Sequence, residues 1–266
     1  MRYLQTVFGK IKAQSPFLYY IVLIHIGCII PILLGLMIDD RVLMGVNVWI
    51  KPLKFAISQI IYITTVGLLV TLYPYSDRKK KIINNTVAIT LLTEFAIILI
   101  QASRGVKSHY NTDTPLDGIL FAIMGLFVGV NVIIMLVFII DTIRKKMKTA
   151  KVIQWSILLG WLIVLFGSWF GSQMIGQMSH SVNIPDGGEG LPLLNWSTIA
   201  GDLRVAHFFG LHGIQVIPLM ALLITHKWKS SHRNHVIAVT LLALCYAAWI
   251  GHTYYQAKQG IPLITR

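Results

Sequence analysis

Seven stretches of this chain are predominantly apolar over roughly 20 residues, the length at which a helix rising 1.5 Å per residue crosses a hydrocarbon core about 30 Å thick. They lie near Phe17 to Ile38, Ala56 to Tyr73, Ile83 to Ala102, Leu116 to Ile140, Val152 to Gly171, Val205 to Ile224 and Val236 to Tyr255. The pattern predicts an all-α integral membrane bundle of seven transmembrane helices, with residues 1–266 as a single transmembrane domain. The first apolar run is longer than the core of a signal peptide and ends in Met37-Ile38-Asp39-Asp40, without a small-residue cleavage site, so it is expected to stay as an anchor. Ser15 followed by Pro16 reads as the N-cap and first residue of that helix.

Composition agrees with the pattern: 55% of the residues are hydrophobic and 12% charged, against about a quarter charged in soluble domains. A net charge of +13 raises the question of nucleic acid, and its distribution answers it. With the N-terminus placed in the cytoplasm, one side of the membrane collects 15 of the 23 basic residues, from Arg2, Lys10 and Lys12 to Lys227, Lys229 and Arg233, against Asp77 and Asp141 alone. The other side balances eight basic residues with seven acids, and Glu94 is left within the membrane. This is the positive-inside bias, so the basic excess reports topology, N-terminus in and C-terminus out, and not a nucleic-acid surface.

The long connection, residues 175–204, contains Pro185-Asp186-Gly187-Gly188 and is expected to form an ordered external cap. Gly125-x-x-x-Gly129 and Gly167-x-x-x-Gly171 are read as packing surfaces in the fourth and fifth spans. Cys28 and Cys245, both near mid-bilayer, are read as packing residues. An internal repeat is expected from the match of Lys51-x-x-Lys54-Phe55 to Arg204-x-x-His207-Phe208, and of Gln101-Ala-x-x-Gly105 to Gln256-Ala-x-x-Gly260. The halves would be residues 17–105 and 152–260, with the helix at 116–140 linking them in parallel.

Ionisable side chains in a bilayer cost about 2.5 to 3.5 kcal/mol each at the centre, so they tend to face a bundle interior or a wet cavity. Here they concentrate in the external half. Lys51 and Lys54 open the second span, and Ser58, Tyr62 and Thr65 are expected to continue their stripe. Glu94 lies in the third span, with Gln101, Arg104, Ser108 and His109 at or beyond its outer end. Asp202, Arg204, His207, His212 and Gln215 follow one another into the sixth, where Pro218 is expected to bend the helix. His252 and Gln256 close the seventh, and His25 sits near the middle of the first. His207 and His212 are five residues apart, about 140° around a helix, so a shared metal would need ligands from other spans. His226, His232 and His235 belong to a basic cytoplasmic loop and are read as solvated, as are Asp39 and Asp40 outside; Trp49 is read as an interface anchor.

With GDLRVAHFFGLH, PDGGEGLPLLNWS, QASRGVKSHYN and QAKQGIPLI, the chain from Trp49 onward resembles a group of bacterial multi-pass membrane proteins of no established activity. That resemblance implies a bacterial cytoplasmic membrane and nothing about mechanism. The polar residues themselves suggest three readings. The first is an external-side pocket for haem or a transition metal, serving redox chemistry or sensing. In it His207, His212, His252, His25 and His109 are candidate ligands. Arg204, Lys51, Lys54 and Arg104, with Gln101, Gln215 and Gln256, would hold the cofactor or a small anionic ligand. The second is a small transporter of an anionic solute with Glu94 as its proton site. The third is a metal-dependent hydrolase with Glu94 or Asp202 as base. The lipid bilayer is the one partner common to all three.

Overall fold

A computed structural model describes residues 2–265, with side chains from residue 8 onward, so the Arg2 side chain counted in the charge bias lies outside the described residues. In chain order the elements are α1 (Arg2–Gln14), α2 (Pro16–Ile38), β1 (Val42–Leu43), β2 (Val46–Asn47), α3 (Ile50–Leu72), α4 (Asp77–Arg104), α5 (Pro115–Arg144), α6 (Lys151–Gln177), α7 (Leu203–Leu211), α8 (Gly213–Lys227) and α9 (His232–Lys258). By length and composition α2, α3, α4, α5, α6 and α9 can each cross a membrane, and α7 with α8 forms a bent pair, a broken span or a re-entrant loop, that brings the number of spans to seven if counted as one. The protein is an all-α, multi-pass membrane protein. Its backbone divides into two compact units, residues 1–134 and 135–266, and the boundary falls inside α5.

In the first unit, α2, α3 and α4 pack together around Ile32, Ala56 and Phe95, with Cys28 against that cluster. The apolar-run reading missed α1, because a helix with one apolar face leaves no continuous hydrophobic stretch. Ile11 on that face is buried against Gly67 of α3. Ser15 does precede Pro16 at the start of α2, but its hydroxyl makes no cap bond and instead accepts from the Asn84 amide of α4. A two-residue hairpin, β1–β2, turns at Met44 and Gly45, both at positive φ, as a tight turn of this hand requires.

The hairpin brings Trp49 back over the end of α2, where its ring lies against Gly35 and its Nε1–H donates to Asp39 at 2.8 Å. Asp39 also takes the Arg41 guanidinium at 2.7 Å, and hydrogen bonds from Arg41 and Trp49 hold its carboxyl well below the usual carboxylate range. Asp39 and Trp49 are therefore parts of a built corner, correcting their reading as a solvated loop residue and a bare interface anchor.

The second unit rests on a glycine seam. Gly160, Gly167 and Gly171 of α6 face α7 and α8, and Gly210 and Gly213 face them in return. A methyl group at Gly167 would stand 2.6 Å from the Gly210 carbonyl carbon, so the two helices approach at a distance that only glycine permits. Gly125 and Gly129 of α5 behave differently: a methyl on either would meet nothing within 4 Å among the described residues. Their spacing alone therefore did not predict a contact.

The bent pair turns by 49° between α7 and α8, at His212. His212 donates from Nδ1 to the Phe208 carbonyl at 2.6 Å, the same carbonyl its own backbone N–H reaches at a long 3.3 Å. The ring thus competes for the helical acceptor. Pro218, nearly two turns below, withholds the N–H that would have taken the Ile214 carbonyl.

The connection between α6 and α7 is ordered, as its turn residues suggested. Gly187 in the Pro-Asp-Gly-Gly stretch has φ +106, and Trp196 is buried. Asp186 accepts from the N–H groups of His180 and Ser181 and from the His180 ring at 2.8 Å. A side chain at Gly201 would overlap the Ala257 carbonyl of α9, so this cap sits directly on that helix.

The two Gln-Ala-x-x-Gly stretches end α4 and α9 in the same way. Gly105 and Gly260 have φ +73 and +77, and the next N–H returns to the Gln101 or Gln256 carbonyl at 3.0 and 3.2 Å. Each glutamine side chain then donates to the carbonyl six residues on, Lys107 or Pro262. This is a left-handed C-cap with a side-chain clasp added.

Candidate functional site

The centre of the first unit holds polar groups that its apolar helices do not need. Gln59 stands on the face of α3 that begins with Lys51 and Phe55, at helical spacing of four. It is buried and touches both neighbouring helices. The His25 ring of α2, fully buried, lies 2.7 Å from Gln59 Oε1 through Nε2, while its Nδ1–H donates to the Ile21 carbonyl at 2.8 Å. Gln59 Nε2 donates to the Glu94 carboxyl of α4 at 3.1 Å. Phe95 stacks on the His25 ring at 4.4 Å and closes the other side.

Gln59 is nine residues from the start of α3 and Glu94 ten from the end of α4, so both lie about 15 Å along the helix from the ends that carry Lys51 and Arg104. This places the chain His25–Gln59–Glu94 near mid-span. Closer to the helix ends, Lys51 Nζ lies 3.2 Å from Nδ1 of His109, which also meets the Ser108 hydroxyl at 3.1 Å. Both contacts offer hydrogens to Nδ1 and so assign the proton of a neutral ring to Nε2. Phe55 lies under this pair, 5.9 Å from the ammonium and 5.7 Å from the imidazole. Lys54 is half-buried one turn on. Ser58, expected to continue the stripe, is exposed; the inward position is its neighbour Gln59.

Arg104 and Gln101 form a second polar knot in the same unit. Arg104 donates to Asp117 at 2.6 Å and to the Gln101 amide oxygen, and Gln101 Nε2 donates to Asp117 at 2.8 Å. Thr114 donates to the same carboxylate at 2.6 Å. Arg104 is thus engaged with an internal acid, and Asp117 was not among the residues singled out from the sequence.

In the second unit Asp202 is buried and caps α7, accepting from the N–H groups of Arg204 and Ser197. The Arg204 guanidinium closes on it at 2.6 Å and also reaches the Asn195 carbonyl. Both carboxylate oxygens are occupied, as a helix cap requires. His207 lies against Gly171 and donates from Nδ1 to the Gly167 carbonyl at 2.8 Å. His212, half-buried, uses Nδ1 on Phe208. His252 is exposed on α9, Gln215 is half-buried one turn beyond His212, and Gln256 is spent on its clasp. Among the described residues no three histidine, cysteine, aspartate or glutamate side chains come together as a metal-binding group.

Compared with models of known protein families, with curated proteins and with solved structures, the chain matches none. What the residues can do therefore rests on their own chemistry. The sequence pointed to Glu94 and His25 separately, since each is a titratable group in an apolar run. It did not point to Gln59, an uncharged residue whose only signal was a helical spacing of eight from Lys51.

Proposed function

We propose that this multi-pass membrane protein is a proton-coupled carrier of a small anionic solute, with Glu94 as its proton site. The observation that carries the reading is the buried chain His25–Gln59–Glu94, which links three membrane-crossing helices through titratable groups near mid-span. Ionisable groups at that depth are expensive and recur where protons or ions pass. Lys51 acts electrostatically on Glu94, and with Lys54 it supplies the positive charge that an anion would meet first, with the neutral His109 ring held against the Lys51 ammonium. The matched Gln-Ala-x-x-Gly clasps support reading the chain as two duplicated halves, an architecture that transporters share. On the charge bias the loaded face is extracytoplasmic, in a bacterial cytoplasmic membrane.

The test is proteoliposomes holding a pH-sensitive dye, offered inorganic phosphate and a panel of small carboxylates. One of these anions should drive a pH change that the Glu94→Gln variant loses while keeping its melting transition. No anion-dependent proton movement from folded protein would overturn the reading.

A second reading, a haem or transition-metal protein, is favoured by one feature. His207 and His212 each commit Nδ1–H to a backbone carbonyl, which leaves the Nε2 lone pair available to a metal. His25 is unsuited to that role, since both its ring nitrogens already face oxygens. A Soret band, or stoichiometric metal, lost in His207→Ala and His212→Ala would support this reading. Protein purified from haem-replete and metal-replete cells without either would remove it.

A further inference from the structure

The orientation of hydrogen-bonding groups around Gln59 restricts which protons the site can hold. A backbone carbonyl only accepts, so Nδ1 of His25 carries a hydrogen toward Ile21. The amide oxygen of Gln59 also only accepts, so with Oε1 facing the ring at 2.7 Å, Nε2 of His25 must carry a hydrogen too. In this amide orientation, and only in it, both contacts are satisfied by an imidazolium. Gln59 meanwhile donates to Glu94, and the carboxylate supplies the opposite charge. Amide oxygen and nitrogen are exchangeable by a half-turn of the side chain. Turned, Gln59 donates to a neutral His25 and presents its oxygen to Glu94, which satisfies both contacts only if the carboxyl is protonated.

We infer that Gln59 ties the protonation of His25 to that of Glu94, so that the three side chains hold and release protons as one unit. The inference rests on the reading of Glu94 as a proton site. The two arrangements contain one mobile proton each: going from the first to the second, the His25 Nε2–H bond breaks, a Glu94 O–H bond forms, and the amide reverses. No other reactant is needed. A second proton can be added, because an imidazolium and a protonated carboxyl both suit the first amide orientation. Removal of both is the disfavoured state. Whichever way the amide then points, it sets an acceptor against an acceptor, at the ring in one orientation and at the carboxylate in the other. Buried hydrogen-bond mismatches of this kind are costly because no water relieves them. Lys51 of α3 is the charged neighbour that acts on Glu94, and from α4 the group that covers His25 is the uncharged Phe95.

The experiment follows the ring nitrogens of His25 by ¹⁵N NMR and the Glu94 carboxyl by its infrared stretch, in full-length protein in nanodiscs across pH. In the wild type both signals should move together through the same two pH steps, because the singly protonated state divides its proton between ring and carboxyl, and in Gln59→Leu each should move in a single step of its own. Shared steps in both proteins, or separate steps in both, would overturn the inference. Should Gln59→Leu not fold, Glu94→Gln serves instead. There a neutral His25 is fully satisfied by two amides in series, so its titration interval should move by about one pH unit or more. An unmoved interval would overturn the inference. Neither readout requires a transported solute. Coupled titration without transport would therefore sink the carrier reading alone, and transport with independent titrations would sink the coupling alone.

Discussion

Gly167 of α6 and Gly210 of α7 meet backbone to backbone, with no side chain between them. That contact fixes how closely the bent sixth span approaches α6, and it creates the shelf on which the His207 ring lies against Gly171. Gly167→Ala would push a methyl into the Gly210 backbone, where nothing flexible can give. Overpacking of this kind costs about 1 to 3 kcal/mol. A lower melting temperature in detergent is expected, with Gly125→Ala, which meets nothing among the described residues, as the unchanged control.

Asp202 and Arg204 form an ion pair whose acid is wholly buried, and the same acid caps α7. Removing one member of a buried pair leaves the other uncompensated, at about 3 to 5 kcal/mol. Asp202→Ala should therefore destabilise the protein far more than substitution of the exposed His252. Denaturant titration in micelles compares the two.

Asp186 ties the cap between α6 and α7 to its own backbone. Partial burial raises its pKa, but the His180 ring and the N–H groups of His180 and Ser181 outweigh that and hold the carboxyl well below the usual range. A carboxyl depressed on folding adds stability that is complete above its unfolded value, about 3.9, and fades only as pH falls through the folded one. The cap should thus stay protected at pH 4. Hydrogen exchange over residues 179–203 is expected to show this in the wild type, with faster exchange at every pH from 4 to 7 in Asp186→Asn.

The two clasps predict a graded pair of effects. Gln256→Leu deletes one hydrogen bond, to Pro262, worth about 1 kcal/mol. Gln101→Leu deletes its counterpart and also strips Asp117 and Arg104 of a shared partner, so it should cost more. Equal losses in chemical denaturation would contradict the difference between the knots.

Much of the architecture is legible in the sequence alone. All seven apolar runs are helical, because burying unpaired backbone in hydrocarbon is prohibitive and a continuous helix avoids it. Even the closing glycines at 105 and 260 could be read from Gln-Ala-x-x-Gly. What escaped was amphipathic or local: α1, whose face is broken by polar residues, and the Asp39–Arg41–Trp49 corner, which looked like loop. The break between α7 and α8 escaped as well, since it forms where the His212 ring takes a carbonyl from its own helix.

For the polar residues the division is sharper. Insertion cost let the sequence mark Glu94, His25, Arg104, Asp202 and Arg204 as side chains needing partners, because a charge or imidazole in an apolar run is conspicuous on its own. Which partner each obtains was decided only by packing. Arg104 and Arg204 close on Asp117 and Asp202, while His25 and Glu94 are joined through Gln59. Hydrophobicity is a property of each residue and can be summed along a chain, whereas a hydrogen bond depends on distance and direction between helices that the sequence keeps far apart.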